Sequence, residues 1–201
     1  MPTAGVILCG GASERMGKPK WSLPFGDVTM VEHIARRLSE AVDSLIVVGP
    51  AVGAMPRIQI AGRKVLLARD RVAGRGPLEG LAVGLATATE QECNFILATA
   101  CDTPLLRPEF ARVMLKHGQG FDAAIVRSSR GEHPLPAVYA TQLADPLETA
   151  LAAGERRVSA LAMMGITRWI VDEELAVCDP DLSSLRNVNT PEEYAAALAE
   201  L

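Results

Sequence analysis

The stretch AGVILCGGASERMGKPK, residues 4–20, sets an apolar run directly against a glycine-rich, basic loop. Ala4–Cys9 is short, continuous and partly β-branched, which predicts a buried strand rather than a helix. Gly10 and Gly11 follow with no spacer. Glycines let backbone N–H groups approach an anion closely, and consecutive N–H groups can form an anion-binding nest. Arg15, Lys18 and Lys20 would add charge-assisted bonds to phosphate oxygens. The loop is not a P-loop, because five residues separate Gly11 from Gly17 and Pro19 stands where Ser or Thr would meet magnesium. No G-x-G-x-x-G can be read in it either, which excludes the dinucleotide fingerprint.

Working outward, strands and helices alternate. Thr29 and Glu32 form a capping box, and Met30, Ile34, Leu38 and Ala41 keep helical spacing. Ser44–Gly49 and Lys64–Ala68 read as strands. A loop at Asp70–Pro77 precedes a helix from Leu78 to Thr89. Phe95–Ala100 reads as another buried strand, ended by Cys101-Asp102-Thr103-Pro104, and a helix follows from Arg107 to His117 with Pro108 in its first turn. The later part is less regular: strands at Asp122–Val126, Ala137–Tyr139 and Thr167–Val171, helices at Ala144–Ala153 and Val158–Met164. A C-terminal helix is announced by Thr190 as N-cap, Pro191 and two glutamates. This alternation predicts a three-layer α/β/α, Rossmann-like domain with a mostly parallel sheet. With 201 residues and no repeat or linker, a single domain spanning 1–201 is expected.

The bulk composition excludes several classes of function. A net charge of −4 argues against nucleic-acid or anionic-membrane binding, so phosphate affinity must be local. Cys9, Cys93, Cys101 and Cys178 form no C-x-x-C pair and read as buried free thiols. No apolar run approaches the roughly 20 residues of a membrane span, and no signal-peptide pattern opens the chain. A cytoplasmic protein is the expectation.

Three motifs fall just after strands, where open α/β sheets bind ligands. They are Gly10-Gly11, Asp70 and Asp102. An Asp at a strand's carboxyl end suits Mg2+, which takes oxygen ligands and bridges to substrate phosphates. The plainer reading of Asp102 is an Asx-turn. Gly76-Pro77-Leu78-Glu79-Gly80 opens a helix whose N-terminus attracts anions, or is merely a proline-started helix. Arg156-Arg157 can clamp a phosphate and Asn187 and Asn189 can read polar ring edges, although solvated arginines and a helix cap are the ordinary alternatives. Gln142 and Glu148 carry no site signal, and His133-Pro134 reads as structural.

At this point the chain resembles a known family. L-x-G-G-x-S-x-R-M-G-x-x-K, present as Leu8–Lys20, is similar to the signature loop of nucleotidyltransferases. GPLEG at 76–80, CDTP at 101–104, HP at 133–134, AGERRV at 153–158 and NVNTPEE at 187–193 resemble, in order, segments of the molybdenum cofactor guanylyltransferases within that family. The resemblance implies the nucleotidyltransferase fold, with GTP and Mo-molybdopterin as substrates, Mg2+ as cofactor, and molybdopterin guanine dinucleotide and pyrophosphate as products. It implies a GTP/Mg-binding half at about 1–105 and a molybdopterin-binding half at about 106–201. Leu8, Cys9, Gly10, Gly11, Asp70, Gly76, Pro77 and Gly80 would contact the nucleotide. Arg15 and Lys20 would hold the triphosphate as catalytic groups together with Asp102, the Mg2+ ligand. Arg156, Arg157, Asn187 and Asn189 would face the acceptor. A monomer is expected, with transient contacts to proteins that insert molybdenum or mature molybdoenzymes. The chain departs from the family at Cys9, where alanine is usual, and at Gly49, where a polar residue is frequent. Two other readings stay open: a sister enzyme using CTP or another phosphorylated acceptor, and a catalytically silent nucleotide-binding module.

Overall fold

Period-two burial organises the molecule. In the computed structural model, which describes residues 1–10 and 19–201, Ala4, Val6 and Leu8 pack on one face of the sheet and Ile7 and Cys9 on the other. These residues lie on or just beyond β1 (Thr3–Leu8). In chain order follow a two-residue hairpin, β2 (Pro24–Phe25) and β3 (Val28–Thr29), then α1 (Met30–Leu38), β4 (Ser44–Gly49), β5 (Val65–Arg69), α2 (Pro77–Glu90), β6 (Phe95–Ala100) and α3 (Pro108–Gly118). The remainder comprises β7 (Ala123–Ser128), β8 (Gly131–Ala140), α4 (Ala144–Ala152), β9 (Thr167–Ile170), α5 (Asp172–Leu175) and α6 (Pro191–Leu198).

The main sheet has seven strands in the order β5-β4-β1-β6-β8-β7-β9. Every neighbouring pair is parallel except the two that involve β8. The expected α/β, mostly parallel architecture is therefore present, with one reversed strand. One core layer joins α1 and α3 to the sheet, and Ile34, Leu38, Phe110 and Met114 are fully buried there. The opposite layer is built by α2 and α4 through Leu78, Leu81, Leu85 and Leu147. Burying each such side chain is worth roughly 1.5–3 kcal/mol relative to exposure.

Local signals explain the element ends. The Thr29 side chain accepts a hydrogen bond from the Glu32 N–H at 3.4 Å, and Thr190 and Glu193 form the reciprocal capping box of α6. Two expectations need correction. The segment expected to be helical at Val158–Met164 is a tighter 3-10 helix over Val158–Met163. The strand expected at Ala137–Tyr139 runs instead from Gly131 to Ala140. Pro134 and Pro136 argue against a ladder there, because proline offers no N–H. The register supplies the reason they are tolerated: pairing with β7 jumps from Val138 to His133, so the prolines fall in the irregular stretch where no ladder donor is required.

Candidate active site

The chain leaves β1 toward β4 and β5 on one side and returns to β6 on the other. Such a reversal opens a crevice at the carboxyl edge of the sheet. The two loops that border it are tied to the sheet by backbone bonds, Cys9 N–H to Val48 at 2.7 Å and Cys101 N–H to Leu8 at 3.0 Å. Gly10 and Asp102 come next in the chain on either side of the crevice. Gly11 and Arg15, to which nucleotide contacts are assigned by sequence, and Lys18, whose role the sequence leaves open, lie outside the described residues.

A cleft of about 470 Å³ opens on the β4–β5 side, lined by Gly10, Asp70, Gly76 and Pro77 together with Pro50–Val52, Ala73 and Gly74. Four residues assigned to the nucleotide by sequence thus share one cavity. Leu8 and Cys9 do not line it: each is only 4% exposed, beneath the floor. Gly80 gives room rather than surface. A Cβ there would stand 3.1 Å from Asp70 Oδ1, and a Cβ at Gly10 would stand 2.5 Å from Asp70 Oδ2. The Asp70 carboxylate therefore lies across two glycines, and its N–H is fixed to the Gly49 carbonyl at 2.9 Å. Gly49 has its own steric reason, since a Cβ at that position would sit 2.3 Å from the Met55 sulfur. Gly76, at φ +74°, adopts a conformation that favours glycine just before α2.

Burial, and secondarily the neighbouring Glu79 charge, pushes the Asp70 carboxyl up to about 6. Glu79 is fully buried in the first turn of α2. Its Oε1 accepts from Arg71 Nε at 3.0 Å, and Arg75 approaches its Oε2 at 3.6 Å. Arg71 also reaches Glu148 on α4 at 2.8 Å. Bonds to Glu148 and Glu79 raise the Arg71 pKa further. This network pins the loop that forms one cleft wall. Its members carry no motif; the one available signal is Glu79 itself, a lone charge in the otherwise apolar run PLEGLAVGL.

On the β6 side, Lys20 Nζ donates to Asp102 Oδ2 at 2.9 Å and to Asn189 Oδ1 at 2.7 Å. Residues far apart in sequence, from both halves, thus meet at one ammonium. Asp102 and Lys20 side chains are each 18% exposed. The Val188 N–H donates to the Asp102 carbonyl at 2.8 Å, which docks the NVNT segment onto the CDTP loop.

The remaining sequence candidates are dispersed. The Arg156 carbonyl lies 4.0 Å from the Cβ position of Gly76, at the cleft wall. The Arg156 guanidinium donates to Leu151 and Glu155 carbonyls. Arg157 pairs with Glu155 at 3.0 Å. That guanidinium, with the Arg156 and Arg157 N–H groups, holds the Glu155 carboxyl down at about 2. Asn187 is exposed, and no hydrogen bond joins it to the arginines among the described residues.

Residues 5–166 match the model of the MobA-like NTP transferase domain. The chain belongs to the MobA-like NTP transferase family. It is similar to a probable molybdenum cofactor guanylyltransferase of Mycobacterium marinum, 34% identical over 196 residues that cover 96% of this chain and 92% of the relative. A protein of the same name from Pelotomaculum thermopropionicum is 33% identical, with 98% and 92% covered. Among solved structures, molybdopterin-guanine dinucleotide biosynthesis protein A of Archaeoglobus fulgidus superposes with a TM-score of 0.78 at 23% identity, over 98% of this chain and 97% of that one. The manganese complex of Rv0371c from Mycobacterium tuberculosis gives 0.62 at 18% identity, with both chains fully covered. These structural likenesses establish the nucleotidyltransferase fold.

The described residues at the β6 edge fit a divalent cation. Asp102 Oδ1 is buried without a hydrogen-bond partner among the described residues, a costly state for a carboxylate oxygen unless a cation joins it. No group of three or more His, Cys, Asp or Glu among the described residues could hold a metal. A single carboxylate completed by water and phosphate oxygens is the donor set that Mg2+ ordinarily accepts. No helix among the described residues is long and apolar enough to cross a membrane.

Proposed function

We propose that the protein transfers GMP from GTP to the phosphate of Mo-molybdopterin, forming molybdopterin guanine dinucleotide and releasing pyrophosphate. The observation that carries this reading is the Lys20–Asp102 pair beside the cleft of Gly10, Asp70, Gly76 and Pro77. Guanine and the molybdopterin acceptor are supported by the near full-length relatives and their names.

In this reading the base and ribose occupy the cleft. An ionised Asp70 accepts hydrogen bonds from the base edge, and the N-terminus of α2 faces the anionic end. Lys20 and Arg15 hold the triphosphate. Mg2+ at Asp102 would supply charge neutralisation on the phosphate oxygens. Arg156, Arg157, Asn187 and Asn189 face the acceptor, making the first 105 residues the donor half and the rest the acceptor half. An acceptor phosphate oxygen forms the new bond to the α-phosphorus. The α–β bridging bond breaks in line, and its electron pair leaves on pyrophosphate. Because a phosphate is already ionised near neutral pH, no general base or covalent protein nucleophile is needed, and catalysis rests on positioning and charge.

The test is pyrophosphate release from purified protein with Mg2+, Mo-molybdopterin and each of the four triphosphates. Turnover with GTP is the expected result. Turnover with CTP instead would overturn the guanine assignment, and turnover only with a different phosphorylated acceptor would overturn the molybdopterin assignment.

A further inference from the structure

Lys20 carries a compact ammonium on a flexible four-carbon stem, so fixing it costs rotamer entropy that its partners must offset. Two fixed oxygens do so, Asp102 Oδ2 and Asn189 Oδ1. The Asn189 oxygen, not its nitrogen, must face the ammonium, because an amide N–H would set donor against donor. Asn189 is itself held on both sides. Its N–H donates to Glu193 Oε2 at 2.6 Å, the same carboxylate oxygen that caps α6 through the Thr190 N–H at 3.1 Å. The preceding Val188 is 2% exposed and donates its N–H to the Asp102 carbonyl. The path from the α6 cap through Asn189 to Lys20 and Asp102 is continuous and hydrogen-bonded throughout.

We propose that Asn189 is a positioning residue for Lys20: anchored by the α6 cap, its side-chain oxygen holds the ammonium beside Asp102, so that the C-terminal segment sets the donor side of the site. This rests on Lys20 serving the triphosphate, as proposed above. It gives Asn189 a task on the donor side, distinct from any contact with the acceptor. With Oδ1 turned to Lys20, the Nδ2 donors are the atoms left to face away from it, and they suit a phosphate or carbonyl oxygen.

The test is a double-mutant cycle read by calorimetric titration of triphosphate with Mg2+, with no acceptor present. Wild type, Asn189→Ala, Lys20→Ala and the double variant are compared. Loss of one hydrogen bond to a charged group predicts about a tenfold weaker triphosphate affinity for Asn189→Ala. Because Asn189 acts through Lys20, the double variant should bind no more weakly than Lys20→Ala alone. Effects that multiply would overturn the proposal, since a merely structural disturbance adds to the loss of Lys20. So would an Asn189→Ala protein with unchanged triphosphate affinity in this titration and, in the pyrophosphate-release assay, a raised KM for the acceptor only. Running the cycle with the triphosphate that wild type prefers keeps the two readings apart: a preference for CTP would count against guanine, while the cycle still decides the role of Asn189.

Discussion

A Cβ atom on Gly10 would stand 2.5 Å from the Asp70 carboxylate oxygen Oδ2. The clash is with the far end of a side chain, not with backbone, so Asp70 can rotate away at little cost to the fold. Gly10→Ala is therefore expected to change stability by less than about 1 kcal/mol, within the range of mild substitutions. It should weaken nucleotide affinity about tenfold by moving the group to which the proposed function assigns the base. Thermal unfolding and GTP titration measure the two effects separately. A variant that unfolds early but, once folded, binds GTP normally would count against this role for Asp70.

Asp70 titrates near 6, above its ordinary value of 3.8, because of burial first and Glu79 second. The folded protein thus binds this proton more tightly than the unfolded chain does. The stability it contributes is present below about pH 4 and is lost as pH rises through 6. Nucleotide binding runs the other way if the ionised form accepts from the base. GTP affinity should fall as pH drops below about 6, and Asp70→Asn should flatten the profile. Glu79→Gln removes a like charge and should shift the midpoint to lower pH. A midpoint that does not move would mean that burial alone sets it.

Asp102→Ala should lose most activity, about a hundredfold or more, the scale of removing one preorganised charge contact. The protein should remain folded, because Asp102 faces the crevice and its partner Lys20 keeps Asn189. Pyrophosphate release and Mn2+ binding by the free protein are the two readouts. Unchanged rates, with Mn2+ still bound, would put the metal elsewhere.

Lys20→Ala should raise the concentration of GTP needed for half-maximal rate while leaving acceptor affinity largely intact. An effect confined to the acceptor would move Lys20 to the other half of the site.

The legible parts of this molecule are those in which local chemistry and tertiary position agree. Gly10 and Asp102 directly follow apolar runs that can only be buried strands, so their arrival at one sheet edge follows from α/β geometry. Thr29 and Thr190 announce their helices because a cap acts within a single turn. Glu79, Arg71 and Glu148 were not legible, since their meaning lies in a contact between α2, its preceding loop and α4, which no spacing encodes. The reach of Lys20 to Asn189 has the same character. It joins positions 169 residues apart. The early part of β8 was hidden by its own prolines, which read as breakers until the register makes room for them.

The reversed strand has a consequence for how such a site can diversify. Since β8 runs against its neighbours, the chain turns from β7 into β8 at the same edge where β1 and β6 end. Ser128 pairs with Gly131 there, leaving only two residues at the tip. Lengthening that tip would cost little, because loop-closure entropy grows slowly with length. It would also leave every ladder bond of the sheet in place. The rim opposite the Asp70 cleft can therefore be rebuilt by insertion without touching Lys20, Asp70 or Asp102, so under the proposed function one donor side could serve acceptors of different size.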